Sequence, residues 1–163
     1  MAGGEIIGAA VGVLLLVFVA YVLVGSTLST AEIVANAQKD LTLLDESRLR
    51  TDISITYSGI DAGVINFSVK NNGNEMISDF RHMDILSFNE SSNLDFQHYT
   101  YNKNYDGTPG TWTVNGFIPE KNIHPNILDP GETMWCNATF IGETPRWFQV
   151  TTGNGVYTSA YIT

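Results

Sequence analysis

Nineteen consecutive residues near the start of this chain, Ile6 to Val24, carry neither a charge nor a proline. At about 1.5 Å of rise per residue a helix over that run reaches roughly 29 Å, close to the hydrocarbon thickness of a bilayer. The run therefore predicts a membrane-spanning helix, with the remaining residues forming a domain displayed on one side. A cleaved secretory signal would carry a basic leading region and a shorter apolar core, whereas Met1-Ala2-Gly3-Gly4-Glu5 contains no Lys or Arg. That favours a retained span, although Ala20 and Gly25-Ser26 could serve as a cleavage site. Basic residues do not decide the orientation, because the short N-terminal flank has none and the first Lys on the other side is Lys39.

All 8 Lys and Arg and every Asp and Glu except Glu5 follow the span, and the whole chain carries a net charge of −9. An acidic domain has no electrostatic reason to bind nucleic acid or anionic lipid. With Cys136 the sole cysteine, no internal disulfide and no paired-cysteine metal or redox motif can form. Three N-x-S/T sequons occur, at Asn66, Asn89 and Asn137. Asn66 alternates with Ile65 and Phe67, and Asn137 with Cys136 and Ala138. Strand geometry then turns both asparagines away from the core, where a glycan can be attached.

From Ser26 to Arg48 there is no Gly or Pro. Val34, Ala37, Leu41 and Leu44 recur at spacings of 3, 4 and 3, one stripe of a helix that continues the span. Arg48 and Arg50 fall near its end, where cations complement the helix dipole. The stripe either rests on its own domain or forms a seam with other helices.

After Thr51 the period changes to alternation. Ile53, Ile55 and Tyr57 mark a first strand, with a turn expected at Ser58-Gly59, and Val64 to Lys70 a second, ended by Asn71-Asn72-Gly73-Asn74, a run suited to positive φ. Further strands are expected near Met83–Phe88, Phe96–Tyr101, Thr111–Val114, Thr133–Ile141, Trp147–Thr152 and Val156–Ile162, the last two flanking Gly153-Asn154-Gly155. The predicted fold class is α+β: a long N-terminal transmembrane helix over residues 1–48, then an all-β immunoglobulin-like sandwich over 49–163.

The sequence shows no catalytic pattern. His82, His98 and His124 share no ligand spacing with Cys136, and neither a nucleophile elbow nor a phosphate-binding glycine loop is present. Asp106-Gly107 with neighbouring carboxylates is a weak calcium-loop signal, lacking the EF-hand pattern. The expectation is a chain that is not an enzyme, with no catalytic residue, cofactor or metal. Aromatic rings stand out instead: Trp135, Trp147, Tyr157 and Tyr161 alternate with inward residues. They are candidate partner-binding side chains, because Trp and Tyr are enriched where proteins meet. An edge strand at the end of the chain would offer a second mode of association.

The apolar helix, the amphipathic continuation ending in Ser47-Arg48-Leu49-Arg50-Thr51-Asp52-Ile53-Ser54-Ile55 and the single sandwich together resemble the archaellum stator proteins FlaF and FlaG, relatives of archaellins and type IV pilins. Arg48-Leu49 followed by Thr51 and Ile53 is the part most similar to FlaF. The resemblance implies a non-catalytic stator whose helix sits in the cell membrane. Its sandwich would stand beneath the surface layer (S-layer), touching surface-layer protein or other archaellum subunits. A close alternative is an archaellin or pilin-like filament subunit that polymerises through its helices. Glu5 favours it, since pilins often carry a glutamate at the fifth mature position, and Gly8 and Gly12, four apart, permit close helix approach. The expected partners are thus the membrane and other subunits in a homo-oligomer or filament, with no nucleic acid. A membrane-tethered binding module or adhesin is the alternative from a different class.

Overall fold

The structure, a computed structural model, describes residues 2–89, 95–119 and 124–162. It comprises two compact units, Met1–Leu44 and Asp45–Thr163.

The first element is a helix, α1, Ala2–Arg50. Its apolar window is long enough to cross a membrane, and none of that window is buried. The hydroxyls beyond Val24 do not end this character. Ser26 Oγ and Thr27 Oγ1 donate to the Leu23 carbonyl at 3.0 and 2.9 Å, and Thr30 Oγ1 donates to the Ser26 carbonyl at 2.9 Å. Hydroxyls satisfied by their own helix need no water, so they are tolerated in lipid. The uncharged stretch therefore runs from Ile6 to Ala31, bounded by Glu5 and Glu32. That is about 39 Å at the standard rise, against roughly 30 Å of hydrocarbon.

The second unit is a β-sandwich of eight strands, β1 (Ile53–Asp61), β2 (Val64–Asn71), β3 (Asp84–Asn89), β4 (Asp95–Tyr101), β5 (Thr111–Ile118), β6 (Thr133–Thr139), β7 (Trp147–Thr151) and β8 (Tyr157–Tyr161). They join in the order β1-β2-β6-β5-β4-β3-β7-β8. All neighbours are antiparallel except β4 and β5, whose parallel pairing of Thr100 with Thr111 and Tyr101 with Trp112 joins the two halves. The two edges, β1 and β8, come to lie beside each other, so the sheet nearly closes into a barrel. Inside sit Ile65, Phe67, Val69, Ile85, Tyr99, Trp112, Met134 and Phe148, all fully buried. The Phe67 and Phe148 rings, from opposite halves, pack at 5.1 Å between centroids.

Two turns differ from expectation. Ser58-Gly59 is a bulge: β1 continues past it, with Tyr57 opposite Phe67 and Gly59 opposite Asn66, and Gly59 takes φ +139°. The hairpin closes instead at Ala62-Gly63, where both residues have positive φ, as a two-residue type I′ turn requires. The Asn71–Asn74 run contains no positive φ. Its glycine serves close approach: a Cβ on Gly73 would stand 2.5 Å from the Asp52 nitrogen and closer still to the Arg50 carbonyl oxygen. There the chain also receives the end of α1. Asn74 N–H donates to the Arg50 carbonyl at 2.8 Å, and Asn72 N–H to that of Asp52 at 2.8 Å. The last carbonyl of the helix, left open by the helix end, is thus satisfied by the segment after β2.

Candidate functional site

Register brings four aromatic side chains into one line on the outer face of the β4-β3-β7-β8 half. Phe88 of β3 pairs with Phe96 of β4 on one side and with Trp147 of β7 on the other, and Trp147 pairs with Tyr161 of β8. Because side chains of paired residues share a face, Phe96, Phe88, Trp147 and Tyr161 form a continuous row. Phe96 and Tyr161 are 68% and 74% exposed, while Phe88 and Trp147 between them are half-buried. The Phe88 and Phe96 rings touch at 5.0 Å between centroids. Beside the row, on the same face, lie Leu86, His98, Gln149 and Ser159, and His98 Nε2 meets Asp84 Oδ1 at 2.9 Å. The arrangement is an apolar band with hydrogen-bonding groups along one side, the composition of a protein-contact surface.

The row lies at one end of the β7–β8 hairpin, where Trp147 pairs with Tyr161. The opposite end of the β7–β8 hairpin carries Gly153-Asn154-Gly155, and there Asn154 Nδ2 donates to Thr51 Oγ1 at 2.7 Å and to Ser47 Oγ at 3.1 Å.

Of the rings singled out in the sequence, Trp147 and Tyr161 belong to this row. Tyr157 shares the face but pairs with Thr151 at the other end. Trp135, 39% exposed, is in the other half, opposite Ser68 and Gly116. Phe88 and Phe96 were missed. Alternation places Phe88 outward, but the row exists only once the β3–β4 register is known.

The sequons fall in different settings. Asn66 and Asn137 are direct cross-strand partners on β2 and β6, and both are half-buried. Their hydroxyl residues, Ser68 and Thr139, are buried, and Thr139 Oγ1 is hydrogen-bonded to the Tyr105 hydroxyl. Asn89 is only 9% exposed, and the remaining residues of its sequon, 90 and 91, lie outside the described residues. On α1, Val34, Leu41 and Leu44 are exposed, as are Glu5 and Ala37. A Cβ at Gly8 or Gly12 would meet nothing within 4 Å.

Among the described residues no group of three His, Cys, Asp or Glu side chains stands close enough to hold a metal. Cys136 is buried, and burial pushes its thiol far above the usual range, so it packs as a small apolar residue. Asp106 takes hydrogen bonds from the Thr108 hydroxyl and N–H at 2.6 and 3.0 Å, which hold its carboxyl below the usual range.

No protein-family model matches this chain, and no curated protein matches it in sequence. Among solved structures it is similar to the archaellum periplasmic stator protein FlaG from Sulfolobus acidocaldarius, with 19% identity and a TM-score of 0.48 over 68% of this chain and 97% of that one. It is also similar to the archaellum periplasmic stator protein complex of FlaF and FlaG from the same organism, with 18% identity and a TM-score of 0.46 over 66% of this chain and 85% of that one.

Proposed function

We propose that this protein is a membrane-anchored, non-catalytic structural subunit of the archaellum stator kind, with its β-head held outside the cytoplasmic membrane against the cell envelope. The observation that carries the anchoring is the uncovered apolar helix: from Ile6 to Ala31 it has no charge, and the hydroxyls of Ser26, Thr27 and Thr30 bond to its own carbonyls. Water is a poor solvent for such a surface, and lipid or other helices are the alternatives. The stator identity is supported by the resemblance of Arg48–Ile55 and of the helix-plus-sandwich layout to FlaF and FlaG. Contact with the envelope partner, surface-layer protein or another archaellum subunit, is assigned to the row Phe96, Phe88, Trp147 and Tyr161, on the end of the head remote from Arg50.

One observation favours the second reading, a filament subunit. The uncharged stretch exceeds the hydrocarbon thickness by about 9 Å, and the surplus, with Gly8, Gly12 and the Val34–Leu44 stripe, suits burial among copies of the same helix. The two readings separate by where the native protein is found. A stator stays in the membrane fraction and co-purifies with envelope protein after mild solubilisation. A filament subunit is recovered in sheared filaments, with a processed N-terminus visible by mass spectrometry, and that result would overturn the stator reading.

A further inference from the structure

A concavity lies on the head between the short helical turn Phe80–His82 and the loop after β4. Arg81, Tyr101, Asn102 and Lys103 line a hollow of about 400 Å³. A contiguous hollow shares Arg81, Tyr101 and Lys103 and adds Ser78, Asp79, Phe80 and Asn126.

Its charge is anomalous for this protein. The chain carries 17 acidic residues against 8 basic ones, yet two of those cations meet here. Among the described residues neither Arg81 nor Lys103 has a carboxylate partner. Arg50, by comparison, is paired with both Glu46 and Glu75. One carboxylate, Asp79, also lines the contiguous hollow, and it is engaged with His82 Nδ1 at 2.5 Å. Arg81 lies near enough to the Tyr101 phenol for its charge to act on it, against the larger effect of burial.

The walls are built rather than loose. Buried Phe80 packs on Tyr101 at 6.1 Å, and Tyr101 on Trp112 at 5.0 Å, so the tyrosine ring is fixed from behind. Asn102 N–H donates to the Trp112 carbonyl at 2.8 Å, and Asn102 Oδ1 accepts from Asn104 N–H at 3.0 Å. The second bond occupies the amide oxygen of Asn102 and leaves its NH₂ group able to donate.

We propose that this hollow binds an acidic pyranose, a sugar residue carrying a carboxylate or a sulfate ester. Arg81 and Lys103 hold the anionic group, the Tyr101 ring supports the carbon face of the sugar, and the amides of Asn102 and Asn126 bond its hydroxyls. Paired cations give charge-assisted bonds to carboxylate or sulfate. Neutral amides and an aromatic wall suit the rest of a sugar, whereas free phosphate offers neither a carbon face nor a set of hydroxyls for them to hold.

The test uses the full chain in a detergent without a sugar headgroup, with binding followed by saturation-transfer NMR. The ligands are glucuronate and glucose 6-sulfate, with glucose and inorganic phosphate as comparators. Transfer to the ring protons of the two acidic sugars is expected, with none to glucose and no displacement by equimolar phosphate. Arg81→Ala and Lys103→Ala, both at exposed side chains, should each weaken binding at least about tenfold. Glucose binding as well as glucuronate, displacement by equimolar phosphate, unchanged binding in the double variant, or no transfer at all would each overturn the proposal. The anchoring reading survives any of these results, since the experiment does not involve α1.

Discussion

Gly73 lies against the last carbonyl of α1, that of Arg50, at a separation that leaves no room for a β-carbon. The close approach lets the N–H groups of Asn74 and Glu75 reach that carbonyl at 2.8 and 3.2 Å. The junction through which the helix enters the head thus depends on one missing side chain. Both obstructing atoms are backbone, which cannot swing aside, so Gly73→Ala is expected to cost about 1–3 kcal/mol of head stability. Gly116→Ala is the control, because a Cβ there meets nothing within 4 Å, and it should stay within about 0.5 kcal/mol of the parent. Thermal unfolding of the two variants side by side measures the difference.

Tyr99 is fully buried, with its hydroxyl 2.8 Å from Ser87 Oγ. Burial raises its phenol above the ordinary value, with the Ser87 hydrogen bond acting in the other direction. The neutral phenol is therefore favoured in the folded state. The associated stability is complete below the unfolded value near pH 10 and is lost as pH rises through the folded one. Tyr101, raised chiefly by burial, adds the same sign. Melting temperature should fall above about pH 10, and Tyr99→Phe should make that fall shallower while lowering neutral-pH stability by about 1 kcal/mol. Melts from roughly pH 8 to 11 that run parallel in parent and variant would count against this account.

Asn66 and Asn137 face each other across β2 and β6. Directly opposed residues have Cβ atoms about 5 Å apart, too close for two glycans to leave the sheet side by side. With Ser68 and Thr139 buried, modification must precede folding. Intact-mass and peptide analysis of native protein should find at most one of these two sites occupied per molecule. A doubly modified chain would contradict the prediction.

The row of rings makes a prediction that separates binding from folding. Phe96→Ser and Tyr161→Ser alter exposed ends of the row and should leave melting nearly unchanged, within about 0.5 kcal/mol. Together they should reduce recovery of the envelope partner in pull-downs from native membranes by tenfold or more, as loss of interface anchors does. Trp135→Ser, in the other half of the sheet, should leave recovery intact. Equal loss with Trp135→Ser would move the contact surface away from the row.

Much of this architecture was legible in the sequence because two periods carry it. An uninterrupted apolar run specifies the helix, and alternation specifies each strand, Ile65-Asn66-Phe67 as clearly as Met134-Trp135-Cys136. What alternation cannot supply is pairing order. Trp135 and Trp147 look equivalent along the chain, yet β6 and β7 fall in different halves of the sheet, and Trp135 leaves the row for that reason. Phe88 and Phe96 become neighbours only through the β3–β4 register. The misread positions have a common cause, since a glycine signals freedom without saying which freedom is used. At Gly59 it is a bulge in a continuing strand, and at Gly73 the absence of a side chain beneath Arg50. Arg81 and Lys103, separated by 21 intervening residues, carry no joint signal until the loop after β4 meets the turn at Phe80.

If α1 holds the head outside a membrane, Thr27 and Glu143 differ in their access to water, and cysteine accessibility in intact cells reads that difference most directly. Native Cys136 is buried with its thiol pushed up, so it gives little background labelling and single cysteines can be added at Thr27 and at exposed Glu143. A membrane-impermeant maleimide is expected to label the Glu143→Cys protein in intact cells, while Thr27→Cys stays unlabelled until detergent is added and both remain in the membrane fraction after alkaline washing. Labelling of Glu143→Cys only after lysis, or recovery of the protein in the wash, would contradict a head held outside the membrane by α1.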